Sequence, residues 1–258
     1  MASILDVNNL GIDFGGLQAL DDFNVQVNDR EIVGLIGPNG AGKTTVFNLL
    51  TNVYKPSRGS IQLTGANTRG RSPHEIAKSG IARTFQNIRL FKQLSVINNV
   101  KIALHHGMTY SMFDSIFRLP KYWKEEKEAD ALAYELLSVF GLNDVAQDEA
   151  SSLPYGAQRK LEIARALATN PKVLLLDEPA AGMNPSETSE LMSTIVDIRN
   201  KFEIAIILIE HDMSLVMSIC ERVIVLNYGL IIAQGTPQEI SNNPVVIEAY
   251  LGQQRGED

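Results

Sequence analysis

The chain has 258 residues, of which 45% are hydrophobic and 21% are charged. At about 150 residues per domain, this length corresponds to one or two domains with a hydrophobic core of their own. The 23 Lys and Arg residues against 30 Asp and Glu give a net charge of −7, which opposes non-specific binding to nucleic acid or anionic lipid. The longest aliphatic runs, residues 173–176 and 204–209, are far shorter than the ~20 residues of a membrane-spanning helix. Any membrane contact is therefore expected to run through a protein partner.

Two further features bear on the compartment. Cys220 is the single cysteine and has no intramolecular partner for a disulfide, which fits a reducing cytoplasm. The first six residues lack a basic segment that leads into an apolar core, so no signal peptide is expected.

The first part of the chain has the patterns of strands followed by a helix. Alternating apolar residues over 4–10 and 23–27 predict short antiparallel strands, and residues 31–36 predict a more apolar strand that leads into a glycine cluster. From Thr44 apolar residues recur at every third position, which predicts a helix that Pro56 ends. A further strand is expected over residues 60–63, followed by a short helix.

The second half changes from helices to buried strands. Residues 93–150 have helical periodicity, and Leu132, Leu136, Val139 and Phe140 are expected to share one apolar face. Beyond Pro171, aliphatic runs over 173–176, 204–209 and 222–226 alternate with helical stretches. Short runs of this kind are typical of a parallel sheet that is buried on both faces, and they indicate the α/β class.

The glycine cluster matches the eight-position pattern of a P-loop and lies between a predicted strand and a predicted helix, where this motif binds phosphate. Glycines let the backbone wrap around phosphate oxygens, and the helix that follows directs its positive dipole end at the anion. Lys43 is expected to contact the β- and γ-phosphates, and the Thr44 hydroxyl to bind Mg²⁺. The nucleotide-binding residues predicted here are Gly37, Pro38, Asn39, Gly40, Ala41, Gly42, Lys43, Thr44 and Thr45.

A P-loop needs a carboxylate partner for its metal at the end of a buried strand. Asp177 directly follows four aliphatic residues, and Glu178 comes next. Burying these carboxylates is costly unless each has a cation or hydrogen bonds. We expect Asp177 to bind Mg²⁺ and Glu178 to polarise the attacking water as general base. The 134 positions that separate Lys43 from Asp177 exceed one strand–helix–strand crossover, and the helical insertion fills the gap.

Several further segments make the chain resemble an ATP-binding-cassette (ABC) ATPase over nearly its full length. Gln86 resembles the Q-loop glutamine, which in the family touches Mg²⁺ and senses the partner subunit. Residues 153–159 resemble the signature motif, and residues 181–185 resemble the D-loop. His211 is similar to the switch histidine that contacts the γ-phosphate, and Phe14 to the aromatic residue that stacks on adenine.

The resemblance implies a mostly parallel core sheet flanked by helices, an N-terminal antiparallel β subdomain and an inserted helical subdomain. Residues 1–92 and 156–258 would form the nucleotide-binding core, and residues 93–155 the helical subdomain. The family's activity implies hydrolysis of Mg-ATP, with Glu178 and His211 as the catalytic residues. The implied metal ligands are Thr44, Gln86 and Asp177, and the nucleotide-binding set gains Phe14, Gln86, Tyr155, Gly156, Ala157 and Gln158.

The signature motif departs from the family's usual Leu-Ser-Gly-Gly-Gln. Pro154 replaces the serine, Tyr155 the first glycine and Ala157 the glutamine. The family offers this loop to the ATP bound by the opposite subunit, so the lost serine hydroxyl removes one hydrogen bond to the γ-phosphate, while Gly156 still permits close backbone approach. Weaker closure, compensation by Tyr155 and Gln158, and a paired subunit with a stronger signature are three open alternatives.

Residues 14–20, 81–91 and 177–185 resemble the ATPase subunits of branched-chain amino-acid importers, as do the insertion over 105–124 and the tail over 243–252. This resemblance implies a homodimer, or a heterodimer with a paralogous ATPase, that closes around two nucleotides. It also implies two integral membrane permease subunits, an indirect solute-binding protein outside the membrane, and a peripheral position on its cytoplasmic face.

The groove that receives the permease in this family follows Gln86. Leu90, Phe91 and Leu94 fit its apolar floor as well as they fit the core of the helical subdomain.

Other functions share part of this pattern. Urea-import and lipopolysaccharide-export ATPases are similar, and the tail is shared with the exporters. A cassette protein that acts on ribosomes or DNA usually carries two cassettes or long coiled coils, whereas this chain has one P-loop and a net negative charge, so no nucleic-acid partner is expected. A regulatory subunit that binds ATP without hydrolysing it is the third alternative.

Overall fold

The structure is a computed structural model that describes residues 3–104, 114 and 117–254. In these ranges the strands are β1 (Ser3–Phe14), β2 (Leu17–Asn28), β3 (Ile32–Ile36), β4 (Arg58–Leu63), β5 (Ala66–Asn67), β6 (Ile81–Arg83), β7 (Val173–Asp177), β8 (Ala205–Ile209), β9 (Arg222–Asn227) and β10 (Leu230–Gly235). The helices are α1 (Lys43–Leu50), α2 (Pro73–Ser79), α3 (Val96–Leu104), α4 (Pro120–Val139), α5 (Tyr155–Leu167), α6 (Pro185–Phe202), α7 (Met213–Ile219), α8 (Pro237–Ser241) and α9 (Pro244–Gln254).

The N-terminal sheet is antiparallel, as the alternating apolar residues predict. Its strand order is β2-β1-β4-β5, and β1 pairs with β2 from Ser3 opposite Asn28 to Phe14 opposite Leu17. One face of this sheet is buried, because residues such as Leu5, Val7 and Val25 on alternate positions enter the core.

The larger sheet has the order β10-β9-β3-β8-β7-β6. The neighbours from β9 to β6 run parallel, and β10 is an antiparallel edge strand on β9. The predicted parallel sheet is therefore confirmed. The sequence analysis missed β6, which has only three residues, and also β10, although residues 230–233 are an apolar run and the strand's side chains are mostly half-buried.

Alternate residues of the central strands enter two different cores. Val173 and Leu175 pack towards the antiparallel sheet, whereas Leu174 and Leu176 pack among the helices on the other face. Every residue of β3, β7 and β8 is buried, as a parallel strand covered on both faces requires.

Two predicted details are wrong. Helix α1 ends at Leu50 rather than near Pro56, because Asn52 takes a left-handed conformation (φ 52°) and its side-chain amide donates to the carbonyl oxygens of Thr68 and Arg71. Tertiary hydrogen bonds thus stop the helix before proline does.

The apolar face predicted for α4 is also displaced. Leu136 and Phe140 are buried as expected, but Leu132 is 49% exposed. The buried face instead includes Ala129 and Ala133, whose small side chains let α4 approach its neighbours closely.

Most of the insertion predicted over 105–124 lies outside the described residues, as do 251–258 for their side chains. The described helices include none that is long and apolar enough to cross a membrane. The boundaries predicted for the helical subdomain stay a prediction.

Candidate functional site

Four loops meet at the carboxyl edge of the parallel sheet. They follow β3, β8, β7 and β6, which are four consecutive strands of that sheet. Because parallel strands end at the same edge, the loops bring together the P-loop, Gln86, Glu178 and His211. This edge is where open α/β sheets bind their ligands.

The P-loop needs glycine at two close approaches of the main chain. Gly37 has φ 148°, and a Cβ placed on it would lie 2.1 Å from the carbonyl oxygen of Leu226. Gly42 has φ 106°, and its Cβ would lie 3.2 Å from the carbonyl oxygen of Ala19. Gly42 also caps α1 without any side-chain hydrogen bond, so the amides of the first turn are directed at the loop rather than at a capping side chain.

Lys43 begins α1 and is only 7% exposed. Its Nζ donates hydrogen bonds to the carbonyl oxygens of Gly37 at 2.6 Å and Pro38 at 3.0 Å. Burial lowers the pKa of Lys43, and the negative charges of Glu178 and Asp177 act against that lowering. The ammonium group of Lys43 therefore lies inside the loop, between carbonyl groups of the loop and two carboxylates.

A cleft of about 580 Å³ opens above this loop. Its walls include most of the predicted nucleotide-binding residues together with both predicted catalytic residues. Its lining comprises Leu17, Gln18, Ala19, Asn39, Gly40, Ala41, Gly42, Lys43, Thr44, Thr45, Gln86, Glu178, His211 and Tyr228. Gly37 and Pro38 lie beneath it and contact Lys43.

Glu178 is held from two sides at the edge of this cleft. Gln86 Nε2 donates to its Oε2 at 3.0 Å, and His211 Nε2 lies 2.6 Å from its Oε1. Glu178 has a left-handed backbone (φ 49°), and its amide donates to the carbonyl oxygen of Ile209 at the end of β8. The backbone thus turns directly after β7, and Glu178 no longer follows the direction of that strand.

Asp177 lies deeper and pairs with a cation. Its Oδ2 accepts a hydrogen bond from Arg83 Nη2 at 2.8 Å, and both side chains are almost completely buried. The Asp177 amide donates to Thr84 Oγ1, and Arg83 Nη1 donates to Asn48 Oδ1. Arg83 was not among the predicted site residues, because the short strand that carries it was itself missed and no local pattern indicates its carboxylate partner.

Glu210 is a buried carboxylate like Asp177, but the sequence analysis did not include it among the site residues. It accepts hydrogen bonds from the backbone amides of Ala180 and His211. Burial raises its pKa, and those two amides act in the opposite direction. Glu210 thereby joins the loop after β8 to the loop after β7 and fixes the backbone on which His211 stands.

The signature residues lie apart from the cleft of their own chain. Tyr155, Gly156, Ala157 and Gln158 form the start of α5, and Gln158 Nε2 donates to the carbonyl oxygen of Leu153. The Tyr155 ring lies beside Gly182 of the predicted D-loop, since a Cβ on Gly182 would be 3.1 Å from a ring carbon of Tyr155. Their contact with a nucleotide on an opposite subunit stays a prediction.

Phe14 is also outside the lining of the cleft. Its ring packs edge-on against Tyr54, with 5.2 Å between ring centroids. Leu17, Gln18 and Tyr228 line the cleft instead. The sequence analysis used Leu17 and Gln18 only as part of the family resemblance over residues 14–20, and it did not consider Tyr228. The adenine contact of Phe14 stays a prediction.

The predicted metal ligands are oxygen donors that suit a hard cation, and two of them, Thr44 and Gln86, line the cleft. Mg²⁺ binds through one or two carboxylates, hydroxyl or water oxygens and substrate phosphates. Asp177, the Thr44 hydroxyl and the amide oxygen of Gln86 are all oxygen donors of this kind. The described residues contain no cluster of three His, Cys, Asp or Glu that would hold a metal alone, so phosphate oxygens would have to complete the shell.

Comparison with known proteins shows the family of the chain. A family model described as ABC transporter matches residues 20–181, and one described as branched-chain amino acid ATP-binding cassette transporter matches residues 231–255. The chain is 48% identical to the high-affinity branched-chain amino acid transport ATP-binding protein LivG of Escherichia coli (strain K12) and 46% identical to BraF of Pseudomonas aeruginosa, which carries the same description. Both matches cover 97% of this chain and 98% of the relative.

Among solved structures, the fold is similar to the ADP conformation of MJ1267, an ATP-binding cassette of an ABC transporter. The TM-score is 0.84 at 30% identity, and the match covers 98% of this chain and 100% of the other. A parallel sheet with a P-loop and carboxylates at one edge is typical of P-loop nucleotide-binding proteins. With these matches, the chain belongs to the ABC transporter family, as its ATP-binding part.

Proposed function

We propose that this chain is the ATP-hydrolysing subunit of an importer for branched-chain amino acids. The observation that carries the catalytic part is the Glu178 carboxylate, which Gln86 and His211 hold at the edge of the P-loop cleft. The solute is supported by the LivG and BraF relatives, whose described function is branched-chain amino acid transport.

The reaction follows from the roles of these groups. Lys43 and the P-loop amides bind the phosphates and orient the γ-phosphoryl group. Glu178 accepts a proton from water while the water oxygen attacks the γ-phosphorus, and the bond to the leaving ADP oxygen breaks. His211 orients Glu178 and stabilises the charge that develops on the γ-phosphoryl oxygens.

Thr44, Asp177 and Gln86 would hold Mg²⁺, which when bound neutralises charge on the β- and γ-phosphates. The Asp177 carboxylate would then be shared between Mg²⁺ and Arg83, because its Oδ2 already accepts a hydrogen bond from the guanidinium group.

The separation of the signature residues from their own cleft supports a dimer of two such chains, or of this chain and a paralogue. Two nucleotides would then be enclosed between the P-loop of one subunit and Tyr155 to Gln158 of the other. Two integral membrane permease subunits and a solute-binding protein outside the membrane complete the proposed importer, with this chain peripheral on the cytoplasmic face.

A groove of about 460 Å³ supports docking on the permease. Its mostly apolar walls include Val53, Ile76, Phe91 and Ile102, and the Arg165 guanidinium lies over the Phe91 ring at 5.7 Å. Such a groove suits a short amphipathic helix of a membrane subunit. Of the three residues expected either here or in the core, Leu90 packs on the core and Phe91 lines the groove.

The catalytic assignment predicts that Glu178→Gln keeps ATP affinity and loses turnover. The amide is nearly isosteric and still bonds to its neighbours, but it cannot accept the proton of water. ATP binding by calorimetry and steady-state hydrolysis with the reconstituted permease measure the two properties. We expect at least a hundredfold loss of kcat, in line with general-base contributions of about 10²–10⁴. Normal hydrolysis by this variant would show that Glu178 is not the base.

Transport is tested in cells that lack the chain. Uptake of radiolabelled leucine should fall and return with the wild-type chain but not with Glu178→Gln, while urea uptake stays unchanged. Loss of urea uptake with intact leucine uptake would instead assign the chain to a urea importer.

A further inference from the structure

Arg159 is the largest side chain that is fully buried in the described part of the molecule, with 0% exposure. It lies on α5 and pairs with Glu162 one turn later, with 2.9 Å between Nη1 and Oε2. Burying two charges costs several kcal/mol per ion before their attraction is counted, so such a pair is weak support for stability alone. Its other contacts indicate what it does.

The pair binds the backbone of the loop that contains Gln86. Arg159 Nη1 donates to the carbonyl oxygen of Phe85 at 2.6 Å, and Nη2 donates to the carbonyl oxygen of Gln86 at 2.7 Å. Glu162 Oε1 accepts from the Arg89 amide at 3.2 Å. Three hydrogen bonds to charged groups therefore attach residues 85–89, which lie outside any helix or strand, to α5.

The same guanidinium also reaches the signature motif. Arg159 Nη2 lies 3.3 Å from the Tyr155 hydroxyl, which it can donate to. On the other side of the loop, Gln86 Nε2 donates to Glu178 Oε2. Arg159 thus holds the main chain of the residue whose side chain holds the proposed general base, and it does so from the helix that begins with the signature residues.

We propose that Arg159, together with Glu162, is a positioning residue for ATP hydrolysis that fixes Gln86 against Glu178 and ties this contact to the signature helix. This proposal rests on the proposed ATPase function of Glu178. In this proposal Arg159 contacts neither the nucleotide nor the attacking water. Its effect passes through the carbonyl group of Gln86.

The test removes the guanidinium without leaving a lone buried charge. Arg159→Met with Glu162→Gln keeps side chains of similar length, and the Gln oxygen can still accept from the Arg89 amide. The same helix supplies a matched control in Lys160→Met with Glu190→Gln, which removes an ion pair that does not touch the Gln86 loop. Both double variants are measured as full chains reconstituted with the permease, after thermal unfolding has shown that each variant is folded.

We expect the double variant at Arg159 and Glu162 to lower kcat about tenfold while its affinity for ATP changes less than twofold. The control double variant at Lys160 and Glu190 should leave both properties unchanged. The decisive arm repeats the first pair in a Gln86→Ala background. If Arg159 acts through Gln86, the two changes are non-additive and kcat falls no further than with Gln86→Ala alone. A purely structural role gives a further tenfold fall there, which would overturn the proposal, as would an unchanged kcat in the folded variant.

If the neutral pair does not fold, Arg159→Lys takes its place in the same cycle, because it keeps the charge but cannot reach both carbonyl groups in a fork. Glu178→Gln run in parallel separates the two levels of the argument. Full activity in that variant rejects the proposed function itself, whereas an inactive Glu178→Gln with additive Arg159 and Gln86 effects rejects only the role of Arg159.

Discussion

Lys43 stabilises the P-loop and is also the proposed contact for the phosphates of the ligand. Its ammonium group is bound to the Gly37 and Pro38 carbonyl oxygens and faces two carboxylates. A phosphate that enters the cleft meets a cation whose position the protein has already fixed, so binding does not have to order a flexible chain.

Lys43→Ala should therefore lower the affinity for Mg-ATP at least a hundredfold, because the charge-assisted hydrogen bonds to phosphate are lost. Calorimetry measures the dissociation constant. Lys78→Ala on exposed α2 changes net charge equally and should leave affinity unchanged. Equal effects of the two variants would show that only the overall charge matters.

The Arg83–Asp177 pair gives a stability prediction at the same scale. Arg83→Met leaves the Asp177 carboxylate buried without its cation, which should lower the free energy of unfolding by ~3–5 kcal/mol. Lys124→Met breaks a pair with Glu128 in which both side chains are exposed, and it should cost ~0–1 kcal/mol. Urea unfolding measures both, and similar losses would contradict the difference that burial makes.

At the scale of single elements, helix α4 has one property that the sequence predicts and one that it does not. Its helical period is evident in the sequence, but the direction in which it faces its neighbours is not. Leu132 and Leu136 look equivalent in the pattern, yet only Leu136 is buried, because contacts with α3 and α5 turn the alanine face inwards.

These two leucines form a matched pair on one helix. Leu136→Ala should lower the free energy of unfolding by ~2–5 kcal/mol, since it leaves a cavity in the helical core. Leu132→Ala should stay within ~0.5 kcal/mol, as for an ordinary surface change. Chemical denaturation of both variants provides the measurement, and a larger loss for Leu132→Ala would mean that α4 faces the other way.

Strand ends were easier to predict than side-chain partners. Aliphatic runs before the P-loop, Asp177 and His211 give the strands, and parallel pairing then brings their ends to one edge. The partners of those residues depend on distant segments. Arg83 meets Asp177 across 94 positions and Arg159 meets the Phe85 carbonyl across 74, and no local periodicity encodes such meetings.

For the whole molecule, the groove beside Phe91 is the proposed docking surface for the membrane partner. Phe91→Glu places a charge on an apolar docking surface and should abolish co-purification with the permease, while ATP affinity stays unchanged. Leu132→Glu is the control, because Leu132 is equally exposed but does not line the groove. Retained co-purification of Phe91→Glu would exclude this groove as the docking surface.

The crowding at Gly37 has a genetic consequence. The atom that a side chain there would strike is the main-chain oxygen of Leu226, which every amino acid carries alike. No second substitution elsewhere can trim it away. A selection for suppressors of Gly37→Ala should therefore yield reversion to glycine, whereas defects at side-chain contacts such as Tyr155 against Gly182 leave room for compensating changes.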